Sequence, residues 1–421
     1  MPPDRAHHEV RAPDDRPGTP PDTRRWQALT LLAVSVVLSM SPWFSAAAVI
    51  GQLRAEWSVT ERASAWLTLA VQLGFVLGAV LSAALNLPDR IDARRLIAAG
   101  SLAAAAANAA LLLAHGPLEG TLLRALTGAA LALVYPVTLK LMSAHFTRGR
   151  GLALGVMVGA LTLGSALPHL VNGLGGADWR AVITVTSVLA ALGGLLALTV
   201  PPAPGGAQAR AVTFQPGRAW QAVTRGGVGL STLGYLGHMW ELYAMWTWFA
   251  VYYAAQLTGP GGAARAALAT ALVVGVGALG CVLGGVLGDR WGRTRLTTLA
   301  MLLSGGSALL LAALTFLHAA PALILTVSVF WGLWIIADSA QFSTVVSEIA
   351  DPRFVGTALT AQLALGFTLT ALSIALVPVL VSASGWPAVF AVLAAGPLLG
   401  AWAMQRLARH PDAQLIAGGR G

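Results

Sequence analysis

GVLGDRWGRTR, Gly285 to Arg295, sets one acid and three arginines between two long apolar runs, about 265 to 288 and 296 to 318. Each run has the roughly 20 residues a helix needs to cross a bilayer core of about 30 Å. The stretch therefore reads as a tight polar loop joining two membrane spans. Working outward from it, ten more segments qualify: 27 to 51, 63 to 87, 94 to 115, 118 to 142, 151 to 174, 179 to 200, 228 to 256, 321 to 346, 355 to 382 and 386 to 407. Connectors are short and polar except for residues 201 to 226, which open PPAPGG and carry three arginines. The expected fold is an all-α membrane protein of twelve transmembrane helices in two pseudo-symmetric six-helix bundles. Its divisions are a disordered tail over 1–26, an N-terminal bundle over 27–200, a linker over 201–226, a C-terminal bundle over 227–408 and a tail over 409–421.

Composition agrees. The 421 residues are 10% charged and 56% hydrophobic, with mean hydropathy +0.72, whereas soluble domains carry about 25% charged side chains. The net charge of +9 does not imply nucleic acid, because the arginines punctuate apolar runs instead of clustering with aromatics on one face. They follow the bias of Lys and Arg toward cytoplasmic loops. Twenty arginines fall on the side of both termini and only Arg54, Arg62, Arg180 and Arg265 on the other. That places both termini in the cytoplasm of a cell's inner membrane, and a monomer is expected. Met1 to Arg25 lacks the short apolar core of a signal peptide. Cys281 is the single cysteine and forms no internal disulfide.

The two halves echo each other. Arg148, Gly151, Ala153 and Leu154 recur as Arg353, Gly356, Ala358 and Leu359, an offset of 205, and Asp89, Arg90, Arg95 and Leu96 recur as Asp289, Arg290, Arg295 and Leu296, an offset of 200. Both matches fall at equivalent places six spans apart, as internal duplication requires.

With twelve spans and GVLGDRWGRTR in place, the chain resembles the major facilitator superfamily over about residues 27 to 407. The resemblance implies a cytoplasmic latch built from Gly285, Asp289, Arg290, Gly292, Arg293 and Arg295, with Glu348, Asp351 and Arg353 beside it. Its glycines are expected to permit a tight turn, and Asp289 to cap a helix or pair with arginines. A plainer reading is that these arginines only enforce topology. The first-half copy, LNLPDRIDARR from Leu85 to Arg95, keeps Asp89 and Arg90 but has Leu85 and Asp92 where the family pattern has glycines. RALTGAA, Arg124 to Ala130, is similar to the family's intramembrane arginine motif, often associated with proton coupling. GVMVGALTLG, Gly155 to Gly164, is similar to the drug-antiporter motif but has Ala160 where that motif carries proline. GALTLGSALPH and ADSAQFS resemble bacterial cyanate-type and nitrate-type permeases, without the glycine-rich nitrate signature.

Ionisable side chains at bilayer depth are costly and are functional candidates by default. Arg124 on span four, Glu241 on span seven and Asp338 on span ten stand out. Helical spacing extends each face: Tyr135 follows Arg124, His238 and Trp248 flank Glu241, and Trp334 and Gln341 flank Asp338. Trp43 follows the kinking Pro42 on span one. Together they are expected to form a central site in which Arg124 faces the two carboxylates, a small organic or anionic solute binds, and a desolvated carboxyl carries a proton. A static ion pair is the competing reading. Gln72 and Asn108 read as interhelical hydrogen-bonding amides, and His169 and Lys140 as structural.

No Walker-type loop, HExxH or GxSxG is present, so ATP-driven pumping and intramembrane catalysis are set aside, and no cofactor or metal is expected. Secondary transport leads, with a drug/proton efflux antiporter or an inorganic anion permease as alternatives. A transporter-like solute receptor is the alternative of another class.

Overall fold

In the computed structural model the described residues are 23–146, 149–175, 178–202, 220–221, 223–351 and 354–421; of Glu61, Arg62, Asp89, Arg150 and Gly175 only the backbone is described. Most of the tail over 1–26 and of the linker over 201–226, together with Arg148 and Arg353, lies outside them. The chain folds as twelve membrane-spanning helices. Spans two, three, five, six and nine run Trp66–Ala84, Ala93–Ala109, Arg150–Gly175, Trp179–Ala197 and Arg293–Phe316. Span seven, Gly226–Gln256, is also unbroken. Spans eleven and twelve lie within Val355–Ala408 as two helices separated at Gly385, whose non-helical backbone, with φ of 77°, suits only glycine.

Four spans are divided. Span one stops at Ser39 and resumes as Ser45–Ala48 and Ile50–Glu56. Span four is Pro117–Leu131 then Tyr135–His145, span eight Gly262–Gly275 then Gly277–Trp291, and span ten Pro321–Trp334 then Ser339–Ile349. Proline explains two of the breaks. Pro42 lacks the amide that would continue the ladder and keeps Ser41 out of helix, and Pro136 sits in the first turn of Tyr135–His145, where its missing amide ends the ladder of the preceding segment.

The molecule is apolar outside. Leu73, Leu77, Leu81 and Leu85 form an exposed stripe at helical spacing on span two, as a lipid-facing surface requires. Among the described residues nine helices are long and apolar enough to cross a membrane, the last of them spans eleven and twelve joined. The two others are the broken first span and the seventh, which spends its residues on buried His238, Glu241 and aromatic rings.

Lipid gives helices no hydrophobic reason to associate, so close packing of small residues must hold them. Both halves use the same device. A Cβ on Gly128 would strike the Val71 carbonyl of span two, and one on Gly332 would strike the Val273 carbonyl of span eight. Gly128→Val or Gly332→Val is accordingly expected to cost about 1–3 kcal/mol or more, since backbone cannot yield as a side chain can. Thermal unfolding in detergent checks this, with Gly306→Ala, which meets open space, as a control expected to lose nothing. Between the halves, span five crosses span eight where Gly155 meets the Cys281 carbonyl and Gly285 meets the Gly151 carbonyl.

Candidate functional site

Arg124 is fully buried and anchors a polar hub inside the first half. Nη1 donates to the Pro42 carbonyl at 2.8 Å, to Asn108 Oδ1 at 2.9 Å and to Ser45 Oγ at 3.1 Å. Nη2 donates to the Trp43 carbonyl and Nε to the Leu67 carbonyl. The break in span one supplies two of these acceptors, because carbonyls released from a helical ladder still need donors. Asn108 spends its amide nitrogen on span six, donating to Thr186 Oγ1 at 3.1 Å and Ser187 Oγ at 2.9 Å, as expected of a mid-span amide. The expected meeting of Arg124 with Glu241 and Asp338 does not occur: its five donor contacts are spent on spans one, two and three.

The second half holds its own buried polar chain. Ser304 Oγ donates to Glu241 Oε1, and Trp331 Nε1 donates to Glu241 Oε2 at 3.2 Å and to Ser304 Oγ at 3.0 Å. His238 Nδ1 approaches Asp338 Oδ1 to 2.9 Å. Neither atom makes an aligned hydrogen bond, and His238 Nε2 is also without one. Asp338 ends the break in span ten, immediately before Ser339.

Where the halves meet, the surface is aromatic. Trp43 packs on Phe75, Tyr243 and Phe367 with ring centres 4.9, 6.0 and 5.6 Å away. Phe44 and Trp246 extend the cluster. Beside it lies a cavity of about 50 Å³, lined by Tyr135 and Leu139 of span four, Val158 of span five, Tyr235, Met239 and Tyr243 of span seven, Ser339 and Ser343 of span ten, and Phe367. No charged side chain is among its lining residues. Drug-sized ligand sites measure about 300–1,000 Å³, so the cavity as it stands is smaller than such a site.

The stripe of span seven singled out from the sequence is not the one that lines this cavity. His238, Glu241 and Trp248 do share a stripe, but it points into the second half, whereas Tyr235, Met239, Leu242 and Tyr243 face the cavity. Neighbouring residues on a helix differ by about 100°, and the deep charges drew attention to the buried stripe. Tyr135 lines the cavity, and Trp43 packs on its lining residue Phe367. Trp248 instead donates to the Ile374 carbonyl at 3.0 Å, and Trp334 is half-buried beside Phe330. Gln341 belongs elsewhere: it accepts from Arg293 at 2.8 Å. Tyr235, Tyr243, Trp246, Phe75 and Phe367 were missed, since aromatic residues in an apolar span carry no signal that separates lining from core.

The sequence matches the Major Facilitator Superfamily over residues 32–373. This chain belongs to that superfamily. Solved structures agree on the facilitator fold: the proton:xylose symporter XylE, bound to 6-bromo-6-deoxy-D-glucose, superposes with TM-score 0.74 at 15% identity, over 94% of this chain and 98% of that one. A D-xylose-proton symporter gives 0.71 at 15% identity, over 91% and 97%. Among curated proteins, the multidrug efflux pump LfrA of Mycolicibacterium smegmatis is 33% identical over 169 residues, which is 39% of this chain and 33% of that pump. The facilitator is a multi-pass membrane transporter and not an enzyme.

The facilitator's loop between spans eight and nine forms an ordered ion-pair cluster. Arg293, nearly buried, reaches Glu348 at 2.8 Å and Asp289 at 3.3 Å. The Asp289 carboxylate lies where a Cβ on Gly151 would stand, against the first turn of span five, the end of a helix that favours an anion. Only Gly292, with φ of 95°, is a turn glycine; Gly285 lies inside a helix and serves the crossing with span five. Arg290, Arg295 and Arg90 are exposed, which fits the plainer topological role, and the Asp89 side chain lies outside the described residues. In the first-half loop Asp92, at φ −54°, caps span three by accepting from the Arg94 and Arg95 amides. The Arg94 side chain holds its carboxyl below the usual range. At Asp92 the backbone needs no positive φ, so no glycine is required at that position; the loop's left-handed turn falls at Asn86, with φ of 51°.

Proposed function

We propose that this facilitator moves a small aromatic or apolar organic solute, neutral or cationic, across the inner membrane by alternating access in exchange for protons, with both termini in the cytoplasm. The observation that carries this reading is the cavity wall: tyrosine, phenylalanine and aliphatic side chains with two serine hydroxyls, backed by the Asp338 and His238 pair one layer behind. Aromatic faces hold flat apolar rings and, through the ring quadrupole, cations. The name of the partly similar LfrA, a multidrug efflux pump, points the same way, and the names of the xylose symporters support a proton as the driving ion.

An anionic solute would need a cation on the cavity wall, and none lines it. Arg124 is committed to the first half's carbonyls, and nitrate or cyanate would meet no cation on the wall. Reconstitution into proteoliposomes with an imposed pH gradient tests the reading. Ethidium and neutral aromatic dyes are expected to be moved against their gradients, and D-xylose and nitrate to be left unmoved. Movement of nitrate or xylose without dye flux would overturn it, and dye binding without flux would make the protein a receptor.

A further inference from the structure

The segment after span twelve packs back onto the second half. It turns at His410 into a short 3-10 helix, Pro411–Gly418, and buries Ile416 completely against the core. Asp412 Oδ2 accepts from the Gly227 amide at 2.8 Å, at the start of span seven. The Ala417 amide donates to Glu348 Oε2 at 3.0 Å, at the end of span ten. The Gly421 carbonyl accepts from Thr294 Oγ1 at 2.9 Å and from the Thr294 amide at 3.2 Å, at the start of span nine. A Cβ on Gly292 would run into the Arg420 carbonyl, so that glycine leaves room for the segment as well as for the turn.

Three elements of the second half are thus tied together, and the tie ends on the residue that matters for the first half. Glu348 receives the tail on one oxygen while both of its oxygens receive Arg293. Arg293 in turn steadies Asp289, which rests on Gly151 of span five. We propose that residues Pro411–Gly421 are a positioning strap for the latch: by fixing Glu348 and Thr294 they hold Arg293 and Asp289 against span five and keep the two halves closed on the face that carries the termini. Release of the strap lets the seam between spans five and eight part. The proposal rests on the reading that the halves separate during transport, and its test needs no solute.

The molecule contains its own reporter. Cys281, the single cysteine of the chain, is buried on span eight within 3.7 Å of Thr162 of span five. Its reaction with N-ethylmaleimide in native membranes reads the population of the opened seam. Deletion of residues 410–421 is expected to raise the labelling rate at least about five-fold, and Ile416→Ser and Thr294→Val by smaller factors in that order. If the deletion does not elute as a single species, the two point variants decide. In a Cys281→Ser background, Ala308→Cys places a thiol at a fully buried site on span nine, and its labelling is expected to stay unchanged by the deletion. Native Cys281 rates in all strap variants, or an equal rise in the labelling of the Ala308→Cys variant, would overturn the proposal.

Discussion

Arg124→Leu is expected to lower the protein's unfolding midpoint by several degrees and to abolish its transport. The substitution removes the guanidinium from the Pro42 and Trp43 carbonyls, Ser45 and Asn108, and the Pro42 carbonyl and Asn108 Oδ1 must then rely on Ser45. Removing one member of a buried charged network costs about 3–5 kcal/mol, and for a chain of this size that corresponds to roughly 3–6 °C in unfolding midpoint. Arg124→Lys is expected to fare little better. A lysine presents three donors from a single point, whereas the guanidinium reaches acceptors on three spans from a planar fork. Melting of the detergent-solubilised protein, followed by intrinsic fluorescence, checks both; Leu126→Ala, on an exposed face of the same span, serves as the unaffected comparison. A midpoint drop under about 2 °C for Arg124→Leu would show that the hub is not the first half's anchor.

Asp338→Asn is expected to separate movement from driving force. One proton exchanged for one neutral solute sustains about a tenfold gradient per pH unit. The native protein should approach that value, while the variant equilibrates the same dye without accumulating it. The reason is position. Asp338 and His238 touch at 2.9 Å without an aligned bond, so a proton arriving there completes an interaction instead of breaking one. Glu241 is different, since Ser304 and Trp331 already serve its carboxyl oxygens. Glu241→Gln is therefore expected to lower the melting temperature yet keep the gradient. Dye and proton fluxes measured together in proteoliposomes discriminate the two carboxyls, and a gradient that survives Asp338→Asn but not Glu241→Gln would reverse the assignment.

The number of spans and the loop Gly285 to Arg295 were legible because length, apolarity and charge are local properties of the chain. Pro42 announced the break in span one, and Pro136 carried an equivalent notice for span four. The break at residues 335–338 of span ten has neither proline nor glycine in it. Its one sequence-level trace is the repeat itself: the break at 132–134, carried forward by the offset of 205 between the halves, falls on 337–339. The partners of the deep charges were not legible. Whether Arg124 meets a carboxylate or a row of carbonyls depends on where span one comes apart and how far the neighbouring helices approach, and small residues such as Gly74, Gly78 and Gly128 set that approach. The docking of residues 411–421 was hidden for a similar reason, since Ile416 supplies its buried anchor within a run too short to show periodicity.

The two polar interiors differ in one respect that bears on how such a machine divides its labour. The first is centred on a guanidinium that keeps its charge at any physiological pH, held by backbone and neutral side chains. The second is centred on an imidazole and two carboxyls. On the proposed proton-coupled reading, a fixed charge in a fixed cage would serve as a stator and the second half's polar chain as a rotor. Changing which ion drives the protein would then be a matter of rewriting the second half alone.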